Sequence, residues 1–457
     1  MNKETLNSSF GINVAGFVKG EFGIGEGMRA NLRSLEAARI PFAINNFHID
    51  WHRNLDATYQ EQDLAKHNPY PVNLVNFNPD GIATFLEGWG SQYLENRYNI
   101  GFWAWELPNF PPELQFGFNY FDEIWTFSNH AVEAISAVSP IPVIKVMPSL
   151  VFPPVFLGRE ALGLPKDKFI FLFMFDSLST FERKNPRAVV EAFIQAFGKS
   201  NQDVCLVIKF SNSQHYPRQR DEFKVLAAQY PSIHLIEGHL MREEVNALVY
   251  NCDCYVSLHR AEGFGLTMAE AMYWGKPTIA TAYSSNIEFM NVGNSFLVKY
   301  DLVSISEDIG PYKKGNIWAA PDIEHAAALM HYVFHNYEQA KLVGARAARE
   351  TQSLLSPHAI GKRIRTRLEN IIATKMKSQD DLRREQDDLR REIDDMRRER
   401  DDLRREIDGQ ECQAQAWKNT AQAVQMEVEK MKSKLKKSDA EIDHLKSLIE
   451  RKEGLRV

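Results

Sequence analysis

RAEGFGLTMAEAMYWGKPTIAT, from Arg260 to Thr281, follows directly on the apolar run CYVSLH. That run reads as a buried strand, and LTMAEAMYW, from Leu266 onward, has the apolar spacing of a helix. Gly263 and Gly265 then occupy a strand-to-helix turn, where a residue without a Cβ lets the backbone approach a ligand closely. The first turn of such a helix presents unpaired N–H groups and the positive end of a dipole, which suits a diphosphate. Glu262 before the turn and Glu270 within the helix flank that position. Carboxylates beside a phosphate do not bind it; they accept hydrogen bonds from hydroxyls, as on a ribose and a hexose. Two glutamates at this spacing, or a lone glycine pair, would be ordinary surface features. The weight lies in the whole series of strand, turn, helix, Gly275-Lys276-Pro277 and closing strand.

On both sides of this stretch, short apolar runs alternate with helical patterns. Before it stand INVAGFV, the helix EGMRANLRSLEAA, PFAINNF, VNLVNF, NIGFWAWEL, EIWTF, the helix SNHAVEAISAV and VIKVM. Prolines in PSLVFPP, Pro148 to Pro154, interrupt the alternation and read as an interdomain linker and hinge. The pattern restarts with FIFLFMF, the helix PRAVVEAFIQAF, VCLVIKF, IHLIEG and the helix MREEVNALVY. The predicted fold class is α/β: two doubly wound, Rossmann-like domains with a cleft between the carboxyl ends of their sheets.

The composition allows this. With 457 residues, 44% of them hydrophobic, the chain can bury the cores of two or three domains. Its formal net charge of -6 gives no basic footprint for nucleic acid. Cys205, Cys252, Cys254 and Cys412 are too scattered for a disulfide framework or a zinc site. No apolar run is long enough for a membrane span, and the polar start MNKETLNSSF lacks a signal-peptide core. The expected location is the cytoplasm, with peripheral attachment to the inner face of the membrane left open.

Towards the C-terminus the chain becomes repetitive: DDLRREQ, DDLRREI, DDMRRER, DDLRREI. Leu382, Leu389, Met396 and Leu403 recur every seven residues, each followed four residues later by Gln386, Ile393, Arg400 or Ile407. The same register runs on through Val424, Val428, Met431, Leu435, Ile442, Leu445 and Ile449. A seam kept over about ten heptads calls for a partner helix, so a coiled coil is expected, as one rod on the order of 100 Å long. A homo-oligomer follows as the expectation, and other enzymes of a pathway could gather on the same rod.

EGFGLTMAEAMYWGKPTIAT resembles the signature of the retaining glycosyltransferases of family four, which have the GT-B fold: a Glu, seven residues and a second Glu around E-G-F-G-L. The resemblance covers roughly residues 10 to 372. It implies an N-terminal acceptor-side domain over 1–152, a nucleotide-sugar domain over 153–355, a closing helix over 356–375 and the coiled coil over 376–457. It implies transfer of a hexose from a nucleotide-diphosphate sugar, with GDP-mannose as the expected donor, to a glycan or lipid-linked acceptor in polysaccharide biosynthesis. No separate cofactor and no metal are implied.

By that resemblance Glu262 contacts the donor sugar and Glu270 the ribose, while Gly263, Phe264, Gly265, Leu266 and Thr267 line sugar and phosphates. Lys184, in FDSLSTFERKNP, matches the family's catalytic lysine. Its usual arginine is replaced by Ser179, and either Arg183 or Lys209, at the end of VCLVIK, is placed to stand in. Gly23 and Gly25 of GEFGIGEG match a glycine loop closing over the donor from the other domain. The family histidine near the sugar is absent from GFWAWELPNFPPE, where Trp103, Trp105 and Glu106 could take an acceptor sugar by stacking and hydrogen bonding. His130 reads as a cap or a satisfied surface residue. The rival reading is a non-catalytic GT-B body that binds nucleotide sugar or glycan and organises an assembly.

Overall fold

A computed structural model describes residues 10–48, 53–199, 201–416 and 421–453. The chain divides into two units, Met1–Arg367 and Leu368–Val457. The first unit opens with β1 (Ile12–Gly16), α1 (Gly23–Ala37), β2 (Phe42–Asn46), β3 (Val72–Val75), α2 (Ile82–Trp89), β4 (Tyr98–Trp103), β5 (Glu123–Thr126), α3 (Asn129–Ser136) and β6 (Val143–Lys145). It continues with β7 (Phe169–Asp176), α4 (Phe181–Lys184), α5 (Pro186–Phe197), β8 (Val204–Ser211), α6 (Pro217–Ala228), β9 (Ile233–Glu237) and α7 (Arg242–Asn251). Then come β10 (Cys254–Ser257), α8 (Leu266–Tyr273), β11 (Thr278–Thr281), β12 (Phe296–Val298), β13 (Tyr300–Ser304) and β14 (Ile317–Pro321). Helices α9 (Ile323–His335), α10 (Tyr337–Leu354) and α11 (Pro357–Ala416) follow, and α12 (Ala421–Glu453) lies in the second unit.

Two six-stranded sheets form, in the orders β2-β1-β3-β4-β5-β6 and β12-β11-β10-β7-β8-β9, and every pairing within them is parallel. Parallel strands covered by helices are buried on both faces, which is why their sequences read as continuous apolar runs. Each sheet reverses winding direction beside its first strand, at β1/β3 and at β7/β10. Ligands of open α/β sheets bind at such points, outside the carboxyl ends of the strands. The loops after β7 and β10, which hold Lys184 and Glu262, are therefore neighbours by topology.

At the opposite end of the first sheet a row of amides crosses three strands. Asn13 donates to Asn73 Oδ1 at 2.9 Å, and Asn73 donates to Asn99 Oδ1 at 2.8 Å. All three are buried. The linker is extended and pinned: Ser149 Oγ donates to the Ala30 carbonyl at 2.7 Å, and Leu150 N to the Leu355 carbonyl at 2.8 Å. The start of α11 returns to the first domain, where Arg367 Nε donates at 3.2 Å to Glu123, a carboxylate that also accepts from Trp125 Nε1 at 2.6 Å.

In the second unit the heptad seam finds its partner within the chain, in place of the single continuous rod the repeat led us to expect. Ile393 packs with Ile442 and Leu445, flanked by Leu389, Met396, Leu448 and Ile449. Glu385 pairs with Lys452, whereas Arg400 pairs with Asp439 at 3.6 Å, so α12 runs antiparallel to α11. Gln386 is buried, and among the described residues its Nε2 has no hydrogen-bond partner.

Two stability outcomes follow from unsatisfied or networked amides. Asn73→Ala leaves the buried Asn99 Oδ1 without its donor and should lower stability by about 2 kcal/mol, read as a fall in the thermal midpoint. Gln386→Leu removes an unpaired buried amide from an apolar seam and should stabilise the helical unit by about 1 kcal/mol, read as a higher denaturant midpoint.

Candidate active site

Gly265 caps α8 with a backbone φ of 92°, in the left-handed region that a side chain disfavours. A Cβ there would also lie 2.5 Å from Met268 Cε. The N–H groups of Met268 and Ala269 both reach the Gly265 carbonyl at 3.1 Å, so those of Leu266 and Thr267 lie ahead of the helical ladder. Phe264 is buried, its ring 5.1 Å from that of Phe289. Gly263 lies against the first domain: a Cβ there would stand 3.4 Å from the Trp105 carbonyl. Its own carbonyl lies 3.2 Å from Ser128 Oγ, the N-cap of α3.

Glu262 is buried where the two domains meet, only 6% exposed. Lys184 Nζ is hydrogen-bonded to its Oε1, and Arg183 Nη1 lies 3.4 Å from its Oε2. Arg183 Nη2 lies 3.5 Å from Glu106 of the first domain, and Glu106 accepts from Tyr312 Oη at 3.0 Å. Burial alone would raise the Glu262 pKa, but Lys184 and Arg183 outweigh it and hold the carboxyl at about 2.

Glu270 is equally buried and pairs with Arg242 at 2.8 Å. Arg242 opens α7 and lies over the Phe152 ring at 5.6 Å. Glu26 of α1 pairs with Arg29 at 3.0 Å and Arg33 at 2.8 Å. Its pKa is held near 2: burial opposes this, and Arg242 is the strongest of the charges that enforce it, ahead of Arg33 and Arg29. Glu262 thus connects through Arg183 to Glu106 of the opposite domain, whereas Arg242 is paired with Glu270 and acts on Glu26 only through its charge.

Several expectations change in this light. Trp103 and Trp105 are not stacking platforms, because both are core. Trp103 is fully buried against Phe110, Phe118 and Phe121, and Trp105 donates to the Asn109 carbonyl at 3.0 Å beside Tyr312. Burying such a ring contributes roughly 3 kcal/mol, which outweighs exposing it to a sugar. Gly23 and Gly25 do not form a free loop; they begin α1. Gly25 is required by packing, since a Cβ would lie 2.3 Å from the Gly20 carbonyl, while Gly23 has open space around it. Arg183 is 4% exposed, with its Nη groups on Ala261, Glu106 and Glu262, so it does not stand clear as a phosphate cation. Lys209 makes no ion pair among the described residues, and burial lowers its pKa against the opposing pull of Asp176 and Glu21. His130 Nε2 contacts the Glu106 carbonyl at 2.9 Å.

Residues 158–350 match the model of the family Glycosyl transferases group 1. No curated protein matched the chain. Among solved structures, the sucrose-phosphate synthase of Thermosynechococcus elongatus is 16% identical, over 80% of this chain and all of that one, with a TM-score of 0.55. HepE of Anabaena in complex with UDP and glucose is 14% identical, over 79% of this chain and 100% of its own, with a TM-score of 0.54. A glycosyltransferase of Rickettsia africae is 15% identical, over 79% and 99%, with a TM-score of 0.52. The fold of the first unit is GT-B.

Arg242, Tyr312 and Ser128 carry no functional motif in the sequence. Only Arg242 left a signal there, as a cation at a helix N-terminus, where the dipole disfavours it unless anions are near. Tyr312 sits between β13 and β14, a hairpin without local signature, which packs Ile305, Tyr312 and Trp318 into the first domain's aromatic core. A cleft of about 500 Å³ has a lining that includes Phe181, Arg187, Arg218, Arg260, Ile305 and Trp318 but neither signature glutamate. Among the described residues no helix is long and apolar enough to cross a membrane.

Glu262 and Glu26 set an acid dependence. Their carboxyls titrate near 2 when folded against 4.5 otherwise, so the unfolded chain takes up protons first. Their stabilisation is complete above pH 4.5 and is lost as pH falls towards 2. The thermal midpoint of Glu262→Gln should therefore fall less steeply than wild type as pH is lowered through that window.

Proposed function

We propose that the chain is a retaining glycosyltransferase that moves a hexose from a nucleoside-diphosphate sugar to a hydroxyl of a glycan or lipid-linked acceptor. The observation that carries it is the placing of Glu262 and Glu270 on either side of the Gly265-capped start of α8, both buried at the boundary between two Rossmann-like domains. The α8 amides, Lys184 and Lys209 would stabilise the leaving diphosphate, with Glu270 on the ribose and Glu262 on the sugar. Glu262 positions the donor; it is not assigned as a nucleophile. Glu106 enters from the first domain and is the carboxylate available to an acceptor hydroxyl.

A non-catalytic binding role has one observation in its favour: the Glu262 carboxylate is taken up by Lys184 and Arg183. Transfer requires Lys184 to exchange that carboxylate for the donor's phosphate. Calorimetry with GDP-mannose and UDP-glucose tests the donor class and base, the first being the sequence expectation and the second a sugar nucleotide bound by the Anabaena neighbour. Glu262→Gln should cut turnover by about a hundredfold or more, with a thermal midpoint lowered by the lost pairing to Lys184 and Arg183 but a cooperative unfolding transition retained. Nuclear magnetic resonance of the first-formed product should show the donor's anomeric configuration. Binding without turnover in the wild type would favour the assembly role.

A further inference from the structure

We propose that Arg242 is a donor ligand: on binding of a nucleoside diphosphate its guanidinium leaves Glu270 for the diphosphate, releasing Glu270 to the ribose hydroxyls. This rests on the donor site proposed above. Three cations surround the signature glutamates, and their freedom differs. Arg183 is enclosed, 4% exposed, with both terminal nitrogens on protein oxygens. Lys184 is tied to Glu262 at 17% side-chain exposure. Arg242 is 43% exposed, so it can rotate without opening the core.

Its position is electrostatically expensive without an anion, because it opens α7 at the positive end of that helix. Glu270 supplies one anion at 2.8 Å, and Glu26 of the opposite domain adds the pull of its charge without a direct ion pair. A half-exposed ion pair is weak, whereas a diphosphate offers a planar guanidinium bidentate contact and greater charge. Glu270 lies one turn into α8, about 6 Å along the axis from Leu266, so a diphosphate on the first turn comes within reach of the Arg242 side chain. Phe152 beneath the guanidinium gives it an apolar surface to pivot on.

Competition fixes the sign of the outcome. Calorimetric titration of the full chain with GDP and with UDP should show Arg242→Gln weakening binding about tenfold or more. Glu26→Gln removes a rival for Arg242 and should tighten binding severalfold, although Glu26 lies on the other domain and would touch no nucleotide in this arrangement. In the double variant Glu26→Gln with Arg242→Gln, that gain should vanish. Glu26→Asp keeps a charge for Arg29 and Arg33 while drawing it back from Arg242, and should tighten binding by a smaller factor; circular dichroism confirms folding. Unchanged or weaker binding in both Glu26 variants, with wild type binding normally, overturns the role of Arg242 and leaves the donor site standing. If wild type binds neither GDP nor UDP, the donor site itself fails and this role with it.

Discussion

The structure depends on the signature's buried carboxylates being held by cations at the boundary between its two sheets. Arg183 stands between Glu262 and Glu106 of the facing domain, and Arg242 pairs with Glu270 within the field of Glu26. Glu262 is held ionised by Lys184 and Arg183, since desolvating a lone carboxylate costs several kcal/mol. The Arg183 guanidinium then also satisfies Glu106 of the facing domain. The chemistry of the crevice and the mutual placing of the two sheets therefore have a common cause.

Topology explains why these groups converge. Because β7 and β10 are neighbours although far apart in sequence, the loop carrying Arg183 and Lys184 lies against the loop carrying Glu262. The backbones lock them together, as Arg260 N donates to the Arg183 carbonyl at 2.8 Å. In the first sheet the reversal at β1/β3 presents the start of α1, and Glu26 with it, to the same crevice. Two glycines make these approaches feasible: Gly265 by its left-handed cap, Gly25 by the absence of a Cβ against the Gly20 carbonyl.

What the sequence disclosed was local. The turn from Glu262 through Gly265 to Glu270 lies within one strand-turn-helix unit, and its spacing is the geometry. The tryptophans show the opposite case: GFWAWEL has a site-like composition, but whether Trp103 and Trp105 meet water depends on Phe110, Phe118 and the distant Tyr312. Tyr312 lay beyond reach for the same reason, being brought to Glu106 by a hairpin inserted two hundred residues later. The heptads failed differently. An a/d stripe specifies that a helix needs a partner, yet a stripe that keeps its period in both α11 and α12 fits a parallel copy and an antiparallel fold-back equally well. Direction became visible only from the pairs Glu385–Lys452 and Arg400–Asp439.

The two domains also meet through an apolar contact, where Ile305, Tyr312 and Trp318 enter the cluster around Trp103 and Trp105. The two modes of contact differ in what they permit. Separating an apolar contact exposes area at about 25 cal/mol per Å², with nothing to offset it. An ion pair can instead exchange one anion for another and lose little. The hairpin side thus acts as the fixed seat, and the arginine-bridged side is where an anionic ligand can substitute for a protein carboxylate. That division places the exchangeable charges beside α8 and the permanent contact beside Glu106, so substitution at the first can proceed while Tyr312 keeps the second in place.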